Sequence, residues 1–415
     1  MISTATAFLK HKKINAEDFV FLCFVGVFLT MPVGTAPPTI FGALALVLWL
    51  FSGKVLKVRS FFHQSWFWPV IAFIILPWMG LLYAPDSGGF TISYAKKTYY
   101  WLFCLALASL SFETLEPRKL IHAFLFGVAL NACVGILQVV GVIAPKQGWF
   151  SGLTRGYNTV SVYLILAILV CSFYYRDTEE VRKQTGLVGL MILYFFHLIF
   201  MESRTGYLTF IILFPFMLKI LFRKIIVWKL AIVCMIIIGA MFLSPVVKKR
   251  VALTVSQLKY HLNAEPNKAW GKEYTVQQDR FYMWHIAVQI FLENPIIGVG
   301  TGGYSAVVKE RGKADDPTIA HPHSNILYMA VSYGVIGLLA FVWFFGELFR
   351  NALRQRETAL GHFILCAALV LFINGLFNTT ILDAGTLLLL SPVVGLQRSL
   401  SDFREGGQPS CLKPA

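Results

Sequence analysis

Long apolar segments recur along most of this chain and limit its fold more than any other feature of the sequence. Each is close to the roughly 20 residues that an α-helix needs to cross a bilayer, and short polar or basic stretches separate them. Only 14% of the 415 residues are charged, compared with about 25% in soluble domains. The sequence therefore predicts an all-α polytopic membrane protein with about 12 transmembrane helices. The predicted spans cover residues 18–34, 37–52, 66–83, 98–112, 120–143, 159–176, 185–201, 205–222, 226–247, 323–349, 360–380 and 384–398.

The placement of lysine and arginine predicts the orientation of these spans. Basic residues are concentrated in segments on the same side as the N-terminus, such as 10–13, 54–59 and 350–356. The short segments on the opposite side hold only Lys96, Lys97, Lys146, Arg155 and Arg204. Because cytoplasmic loops are enriched in basic residues, both termini are predicted to be cytoplasmic. The net charge of +15 is accordingly assigned to topology and anionic membrane lipid, and no nucleic-acid partner is expected.

One polar segment, residues 248–322, is long enough to form a structure that faces water. It connects the ninth and tenth predicted spans, which places it outside, in a periplasm or its equivalent. The predicted organisation is therefore nine spans in residues 1–247, this large loop with amphipathic helices, three spans in 323–398 and a cytoplasmic tail in 399–415. No cleavable signal peptide is predicted. Six of the seven cysteines lie in apolar runs, so neither a disulfide framework nor a zinc site is expected.

Within the polar loop, an amphipathic helix is predicted from about residue 275 to 293, followed by Pro295 and a glycine-rich turn at 298–304. A glycine-rich run can contact phosphate, but the dinucleotide motif needs a strand before it, and here a helix precedes it. A connecting loop is therefore favoured over a phosphate-binding loop. The apolar positions that predict the helix are Phe281, Trp284, Val288 and Phe291.

Two arginines are candidates for binding an anion. Arg204 follows Glu202 and Ser203 between two spans with almost no loop, so it is predicted to lie at the outer membrane border. Charges near hydrocarbon are costly and usually face a polar cavity or a partner, so Arg204 is either paired with Glu202 or part of an anion site. Arg280 lies early on the loop helix, where the alternative is an arginine whose aliphatic stem covers apolar surface.

Two histidines, His321 and His323, flank Pro322 just before the tenth span. Histidine has an ordinary pKa of about 6.5, so at this border it can be neutral and accept a proton. The nearby Asp315 and Asp316 complete no familiar ligand spacing, so no metal is expected. His321 is expected to cap a helix or lie at the interface, and position alone leaves both that role and a general base open for His323.

Three motifs, taken in order, resemble the O-antigen ligase superfamily. They are "SRTG" at 203–206, "DRFYMWHIAVQIFLENPIIGVGTGGY" at 279–304 and "HSNILYMAVSYGVIGL" at 323–338. Members of that family typically show Ser-Arg-Thr-Gly at the start of one span, then an arginine-led helix that ends in Pro-x-x-Gly-x-Gly. A His-Asn pair follows, and an apolar run then reaches a glycine.

The third motif departs from the family pattern, because Ser324 separates His323 from Asn325. Both His321 and His323 are therefore candidates for the family's histidine, and the eleven-residue separation between His323 and Gly334 favours His323. The upstream sequence "LTRGYNTVSVYL" resembles, in shortened form, an Arg-Gly…Asn segment of the family, which makes Arg155 a secondary candidate.

The resemblance implies a GT-C-like enzyme of the bacterial inner membrane, with its active site facing the periplasm and no cofactor. The implied donor is a glycan on undecaprenyl pyrophosphate, and the implied acceptor is the lipid A–core oligosaccharide. Arg204 and Arg280 would bind the pyrophosphate, with Arg155 and His321 as further substrate contacts, and His323 would be the general base.

The residues are suited to that chemistry. Guanidinium groups form bidentate hydrogen bonds to phosphate oxygens and can stabilise a leaving pyrophosphate without metal. The sequence contains no Asp-x-Asp triplet of the metal-dependent glycosyltransferases. No carboxylate is placed as a nucleophile for double displacement. These observations favour a metal-independent single displacement with inversion.

Three other functions are less consistent with the sequence than a ligase is. A Wzy-type polymerase would use the same kind of donor, but polymerases commonly have two large outer loops and this chain shows one. A protein O-oligosaccharyltransferase usually carries additional soluble sequence at its C-terminus. A lipid or glycan transporter would need broken helices and paired charges near the bilayer midplane, and deep charges are scarce here.

Overall fold

The computed structural model describes residues 15–85, 89–111, 115–145, 149–154, 156–222, 226–263, 280–311 and 320–398, and most of these residues are helical. The α-helices are α1 (Ala16–Thr30), α2 (Ala36–Phe51), α3 (Phe67–Met79), α4 (Phe90–Lys96), α5 (Trp101–Ala108), α6 (Arg118–Val139), α7 (Tyr157–Asp177), α8 (Val181–Phe200), α9 (Arg204–Leu221), α10 (Val227–Met241), α11 (Pro245–Asn263), α12 (Arg280–Glu293), α13 (Gly303–Glu310), α14 (Asn325–Arg354), α15 (Ala359–Leu376) and α16 (Ala384–Gly395). Short 3₁₀ segments lie at Lys54–His63, Gly80–Leu82, Lys97–Tyr100 and Thr380–Leu382.

Six helices are long and apolar enough to cross a membrane, namely α6, α7, α8, α9, α14 and α15. The number rises to eight if two bent pairs each count as one span: α2 with Lys54–His63, bent by 91°, and Trp228–Met241 with Pro245–Tyr260, bent by 98°. Every predicted span coincides with a helix. The all-helical, multi-pass membrane architecture is therefore confirmed, but the count of twelve is not, because several of these helices are short or bent.

The helix α7 lies at the centre of the bundle. It is buried without interruption from Val160 to Phe173 and packs against α6, α8, α9 and α15. By contrast, α8 buries only Tyr194, His197 and Leu198, although its composition is also apolar. Lipid tails are as favourable an environment for apolar side chains as the protein interior is. Hydropathy therefore identifies both helices as spans, but it does not show which of them is surrounded by protein.

A break in α14 connects this helix to the turn that follows α12, at residues 295–300. Gly334 has φ 62° and ψ −148°, which no helix permits, so the α14 backbone around it loses its regular hydrogen bonds. The turn after α12 replaces them, because the N–H groups of Val299 and Gly300 donate to the carbonyls of Val331 and Ser332 at 2.8 and 2.9 Å. In return, the N–H of Val335 donates to Pro295 at 2.8 Å.

This exchange of hydrogen bonds explains the glycine-rich run. Gly298 has φ 67°, and a Cβ at that position would lie 2.3 Å from the carbonyl oxygen of Val331. A Cβ at Gly334 would lie 2.3 Å from the carbonyl carbon and oxygen of Ile296. The two backbones therefore approach too closely for any side chain. The run is a connecting turn that packs on α14, as the sequence favoured.

The loop helix differs from its prediction in its buried face. The structure describes it from Arg280 to Glu293, and the predicted residues 275–279 lie outside the described part of the chain. Val288, on the predicted apolar stripe, is 44% exposed. This helix is apolar on more than one side, so the spacing of its apolar residues did not determine which side would be buried. The buried side chains are Tyr282, Met283, Ile286, Ala287 and Ile290.

We predict that Gly334→Ala destabilises the protein by about 2 kcal/mol or more, because the new Cβ strains the backbone and collides with Ile296. Thermal unfolding in detergent should show a markedly lower Tm than for the wild type. The matched control is Gly346→Ala in the same helix, where a Cβ meets no atom within 4 Å and alanine favours the helix. Equal stability of the two variants would contradict the role given to the break.

Candidate active site

The connection between α8 and α9 places Arg204 at the first turn of a helix. Ser203 caps α9: its Oγ accepts the N–H of Gly206 at 3.0 Å and its hydroxyl donates to Oδ1 of Asn158 at 2.8 Å. These contacts fix the turn against the start of α7. Arg204 extends toward α11, where its Nη1 donates to Oε1 of Gln257 at 2.8 Å.

The acidic residue next to this arginine has a different partner from the one considered from the sequence. Glu202 forms its ion pair with Arg250 of α11, and both side chains are largely buried. The guanidinium of Arg250 also lies over the ring of Trp149, 5.4 Å from its centroid. The carboxylate of Glu202 is therefore engaged by a second arginine that sequence reasoning did not select.

The side chain of Arg280 reaches from the start of α12 into the bundle. Its Nη1 donates to the hydroxyl of Thr205 and to the carbonyl of Phe377 at the end of α15, 2.7 Å away. Burial, together with the charge of Arg204, lowers the pKa of Arg280 to about 10. The group still carries its charge at neutral pH, and bringing it close to another arginine costs free energy that a bound anion would offset.

The two histidines occupy a tight turn before α14. His323 has φ 48°, an uncommon conformation for a side-chain-bearing residue. Its backbone N–H donates to Nδ1 of His321 at 3.4 Å, and the two ring centroids are 4.3 Å apart. Burial lowers the pKa of His321 well below its usual range, and nearby positive groups, including Lys97 and Arg280, lower it further. His321 is therefore neutral at physiological pH and can accept the hydrogen bond that holds the turn.

The residue after the capping Ser324 secures this turn to the last helices. Asn325 is fully buried. It donates through Nδ2 to the hydroxyl of Thr380 at 2.8 Å and accepts the N–H of Ile381 at 3.2 Å. The Ser-Asn sequence after His323 thus caps α14 and anchors it, which leaves the histidine ring to face the space between the helices.

These side chains meet in one polar cavity of about 220 Å³ at the end of the bundle where α7, α9, α12 and α14 begin. Arg204, Arg280 and His323, which the sequence selected, all line it. His321 packs beside His323 but does not line the cavity, and Arg155 lies outside the described residues. The complete lining is Tyr157, Asn158, Glu202, Arg204, Arg250, Arg280 and His323.

The charge of the cavity makes it suited to an anion. Among the described lining residues, three guanidinium groups and one carboxylate face the cavity, so positive charge is in excess there even before His323 is protonated. Sequence reasoning missed Arg250, although its signal is the basic run "KKR" at 248–250. In an amphipathic helix such a run is usually a solvated face, and only the bend between α10 and α11 turns Arg250 inward. Within the described residues no group of three His, Cys, Asp or Glu side chains is arranged to hold a metal ion.

Comparison with known proteins agrees with the motifs. Residues 189–342 match the family described as O-antigen ligase. The chain is 26% identical over 197 residues to a protein of Rickettsia conorii provisionally named a polysaccharide ligase, a match that covers 46% of this chain and 43% of the relative. A protein with the same provisional name in Rickettsia prowazekii is 29% identical over 126 residues, covering 29% of this chain and 28% of the relative.

These matches span less than half of the length of either relative. They confirm the resemblance to the O-antigen ligase superfamily that the three motifs indicated. The segment that matches the family contains five of the seven cavity residues, Glu202, Arg204, Arg250, Arg280 and His323.

We predict that Glu202 and Arg250 are energetically coupled. Each single change, Glu202→Gln or Arg250→Gln, leaves a largely buried charge without its partner, so the double variant should be more stable than the sum of the single effects predicts. A double-mutant cycle on unfolding free energies should give a coupling of about 1–3 kcal/mol.

The control is a second double-mutant cycle on the exposed ion pair of Glu116 and Lys119, whose charged groups are 3.5 Å apart. Its coupling should stay below about 0.5 kcal/mol, because solvent screens both groups. A Glu202–Arg250 coupling no larger than that of the exposed pair would contradict a buried ion pair at the cavity wall.

Proposed function

We propose that this chain, whose residues 189–342 match the O-antigen ligase family, is a glycosyltransferase of the bacterial inner membrane. It transfers a glycan from undecaprenyl pyrophosphate to the lipid A–core oligosaccharide on the periplasmic face. The observation that carries the proposal is the convergence of Arg204, Arg280 and His323 on a single cavity, although they lie far apart in the sequence.

The arginines would bind the pyrophosphate and stabilise its departure. As the bond between the anomeric carbon and the pyrophosphate oxygen breaks, negative charge grows on the leaving group. Arg204, Arg250 and Arg280 already surround the space where that charge would form, so they need little reorganisation. Each guanidinium presents a planar set of donors that matches phosphate oxygens.

His323 would accept the proton of the acceptor. The acceptor hydroxyl attacks the anomeric carbon from the side opposite the pyrophosphate, its proton passes to His323, and undecaprenyl pyrophosphate leaves with the bonding electron pair. A single displacement of this kind inverts the anomeric carbon. Metal-independent transfer is proposed because the arginines supply the positive charge that a metal ion would otherwise contribute.

The assignment as a ligase, rather than as a polymerase of the same donor, is supported by the single large polar segment of the sequence. The two reactions differ only in the acceptor, which is a core lipid for a ligase and a second lipid-linked glycan for a polymerase. Supplying each acceptor separately to the purified protein distinguishes them.

We predict that His323→Ala lowers the rate of glycan transfer by about 10²–10⁴-fold, the usual contribution of a general base. Arg204→Ala and Arg280→Ala should reduce product to background, because each removes positive charge from the leaving-group site. The measurement is product formation by purified protein with lipid-linked glycan and core lipid, in chelator and with added Mg²⁺.

Arg311→Ala is the control for this assay, since Arg311 is partly exposed, pairs with Glu293 and does not line the cavity. Its transfer rate should equal that of the wild type. Wild-type turnover should also persist in chelator. Full activity of a cavity variant would remove that residue from the mechanism, strict metal dependence would overturn the arginine scheme, and retained anomeric configuration would exclude single displacement.

The environment of Arg280 also predicts how the transfer rate of an Arg280→Lys variant depends on pH. That environment lowers the pKa of the guanidinium from its ordinary value to about 10. A lysine at the same position starts from a pKa of about 10.4 and should be lowered into the range near neutrality. Because the charged form exists below the pKa, the transfer rate of Arg280→Lys relative to the wild type should be highest at low pH and should fall as pH rises from about 7 to 9.

The pH profile of the wild-type enzyme over the same interval is the reference for Arg280→Lys, and the ratio of the two rates isolates the lysine titration. Arg204→Lys serves as a second comparison, because Arg204 shares the cavity. A ratio for Arg280→Lys that stays constant from pH 6 to 9 would contradict the buried, cation-crowded environment of this position.

A further inference from the structure

A second cavity, of about 810 Å³, lies between α6, α7 and α8 at the end of the bundle opposite the polar site. Tyr174 lines this cavity and Tyr157 lines the polar one. The two residues are separated by about 26 Å along α7. By the predicted orientation, this second cavity is on the cytoplasmic side.

The shape of the cavity fits one leaflet of a membrane. On α6 its lining runs from Arg118 to Ala129, about 16 Å along the helix axis. That length is about half of the roughly 30 Å hydrocarbon core of a bilayer. The wall of the cavity is mainly apolar and includes Phe126, which is 59% exposed. The cavity therefore opens sideways, between α6 and α8, toward lipid.

One basic side chain at the mouth of the cavity, that of Arg118, forms no ion pair within the described part of the chain. Of the acidic groups there, Asp177 pairs with Arg176 at 2.6 Å and Glu357 with Arg356 at 3.4 Å. The nearby Lys183 pairs with Glu180 at 2.9 Å. Arg118 has no ion pair or side-chain hydrogen bond among the described residues, and its Nε is buried.

A second polar atom at the cavity is also unsatisfied. The hydroxyl of Tyr174 is buried and has no hydrogen-bond partner within the described part of the chain. Buried donors nearly always have partners in folded proteins, so two such groups on one cavity indicate a ligand with acceptor oxygens. The apolar wall adds the requirement that most of this ligand be hydrocarbon.

We propose that this cavity binds one anionic phospholipid of the leaflet that faces away from the polar site. The phosphate accepts hydrogen bonds from Arg118 and from the hydroxyl of Tyr174, and an acyl chain lies along the apolar wall of α6 and α8. Anionic lipid is favoured over zwitterionic lipid because Arg118 forms no ion pair with a carboxylate among the described residues.

The test is lipid binding to the purified full-length chain in detergent, measured by native mass spectrometry with phosphatidylglycerol or phosphatidylethanolamine. The wild type should bind one phosphatidylglycerol about tenfold or more tightly than phosphatidylethanolamine, as a charge-assisted hydrogen bond permits. Arg118→Gln should lose most of that preference. Lys119→Gln removes the adjacent charge, which pairs with Glu116, and should leave the preference unchanged.

A second pair of variants tests the apolar part of the site. A Cβ added at Gly186 or at Gly189 meets no atom within 4 Å, so both positions of α8 accept a larger side chain. Only Gly186 lines the cavity. Gly186→Leu should therefore fill it and reduce lipid binding about tenfold, whereas Gly189→Leu should bind as the wild type does.

These experiments measure lipid binding alone, so their results do not depend on whether the protein transfers a glycan. Equal binding of the two phospholipids, or unchanged binding in both Arg118→Gln and Gly186→Leu, would overturn the proposal. Undecaprenyl phosphate should compete more weakly than phosphatidylglycerol. Tighter binding of this polyprenyl phosphate would overturn the assignment to a phospholipid. Thermal unfolding of each variant verifies that lost binding does not reflect lost folding.

Discussion

The backbone exchange between the turn at 295–300 and the broken part of α14 is the interaction on which the site depends. Inside a membrane protein, N–H and C=O groups freed by a helix break must find new partners. The glycine-rich turn provides them through Val299, Gly300 and Pro295. This pairing ties α12 to α14, and with them the arginine that begins α12 to the histidine that precedes α14. Apolar packing of Tyr282, Ile286 and Ile290 in one cluster with Val331 of α14 adds to this connection.

Among the described residues, the lining of the polar cavity carries three arginines and one carboxylate. Arg250 satisfies Glu202, and the remaining guanidinium groups of Arg204 and Arg280 are held by neutral acceptors, the amide of Gln257 and the hydroxyl of Thr205. Neutral acceptors orient an arginine without cancelling its charge, as the hydroxyl of Thr205 and the carbonyl of Phe377 do for Arg280. Burial, together with the nearby charge of Arg204, lowers the pKa of Arg280 to about 10. In the proposed reaction a pyrophosphate would supply the counter-charge, so that binding and leaving-group stabilisation would have a common origin.

The two cavities lie at opposite ends of α7. The start of α7 contributes Tyr157 and Asn158 to the polar cavity, and its other end contributes Tyr174 to the second cavity. Between them α7 is continuously buried, so it is a rigid connection from one membrane surface to the other. A lipid wedged between α6 and α8 would brace the helix that carries one wall of the active site. The peripheral position of α8 leaves room for that lipid.

Much of this architecture could be predicted from the sequence, because the bilayer imposes strong local rules. Segment length and hydropathy predicted the membrane helices, and the motifs around Arg204, Arg280 and His323 predicted residues that prove to share a cavity. Local rules did not reveal Arg250, whose position depends on the bend after α10, nor which face of α12 is buried. They also could not count the spans, because a bent or short apolar helix has the same composition as a crossing one. Hydropathy and the order of the three motifs were sufficient to predict an all-helical membrane protein that resembles the O-antigen ligase superfamily. Only the tertiary structure decided which charges meet, because contacts between distant segments depend on helix packing and on breaks such as Gly334, and no local pattern encodes these.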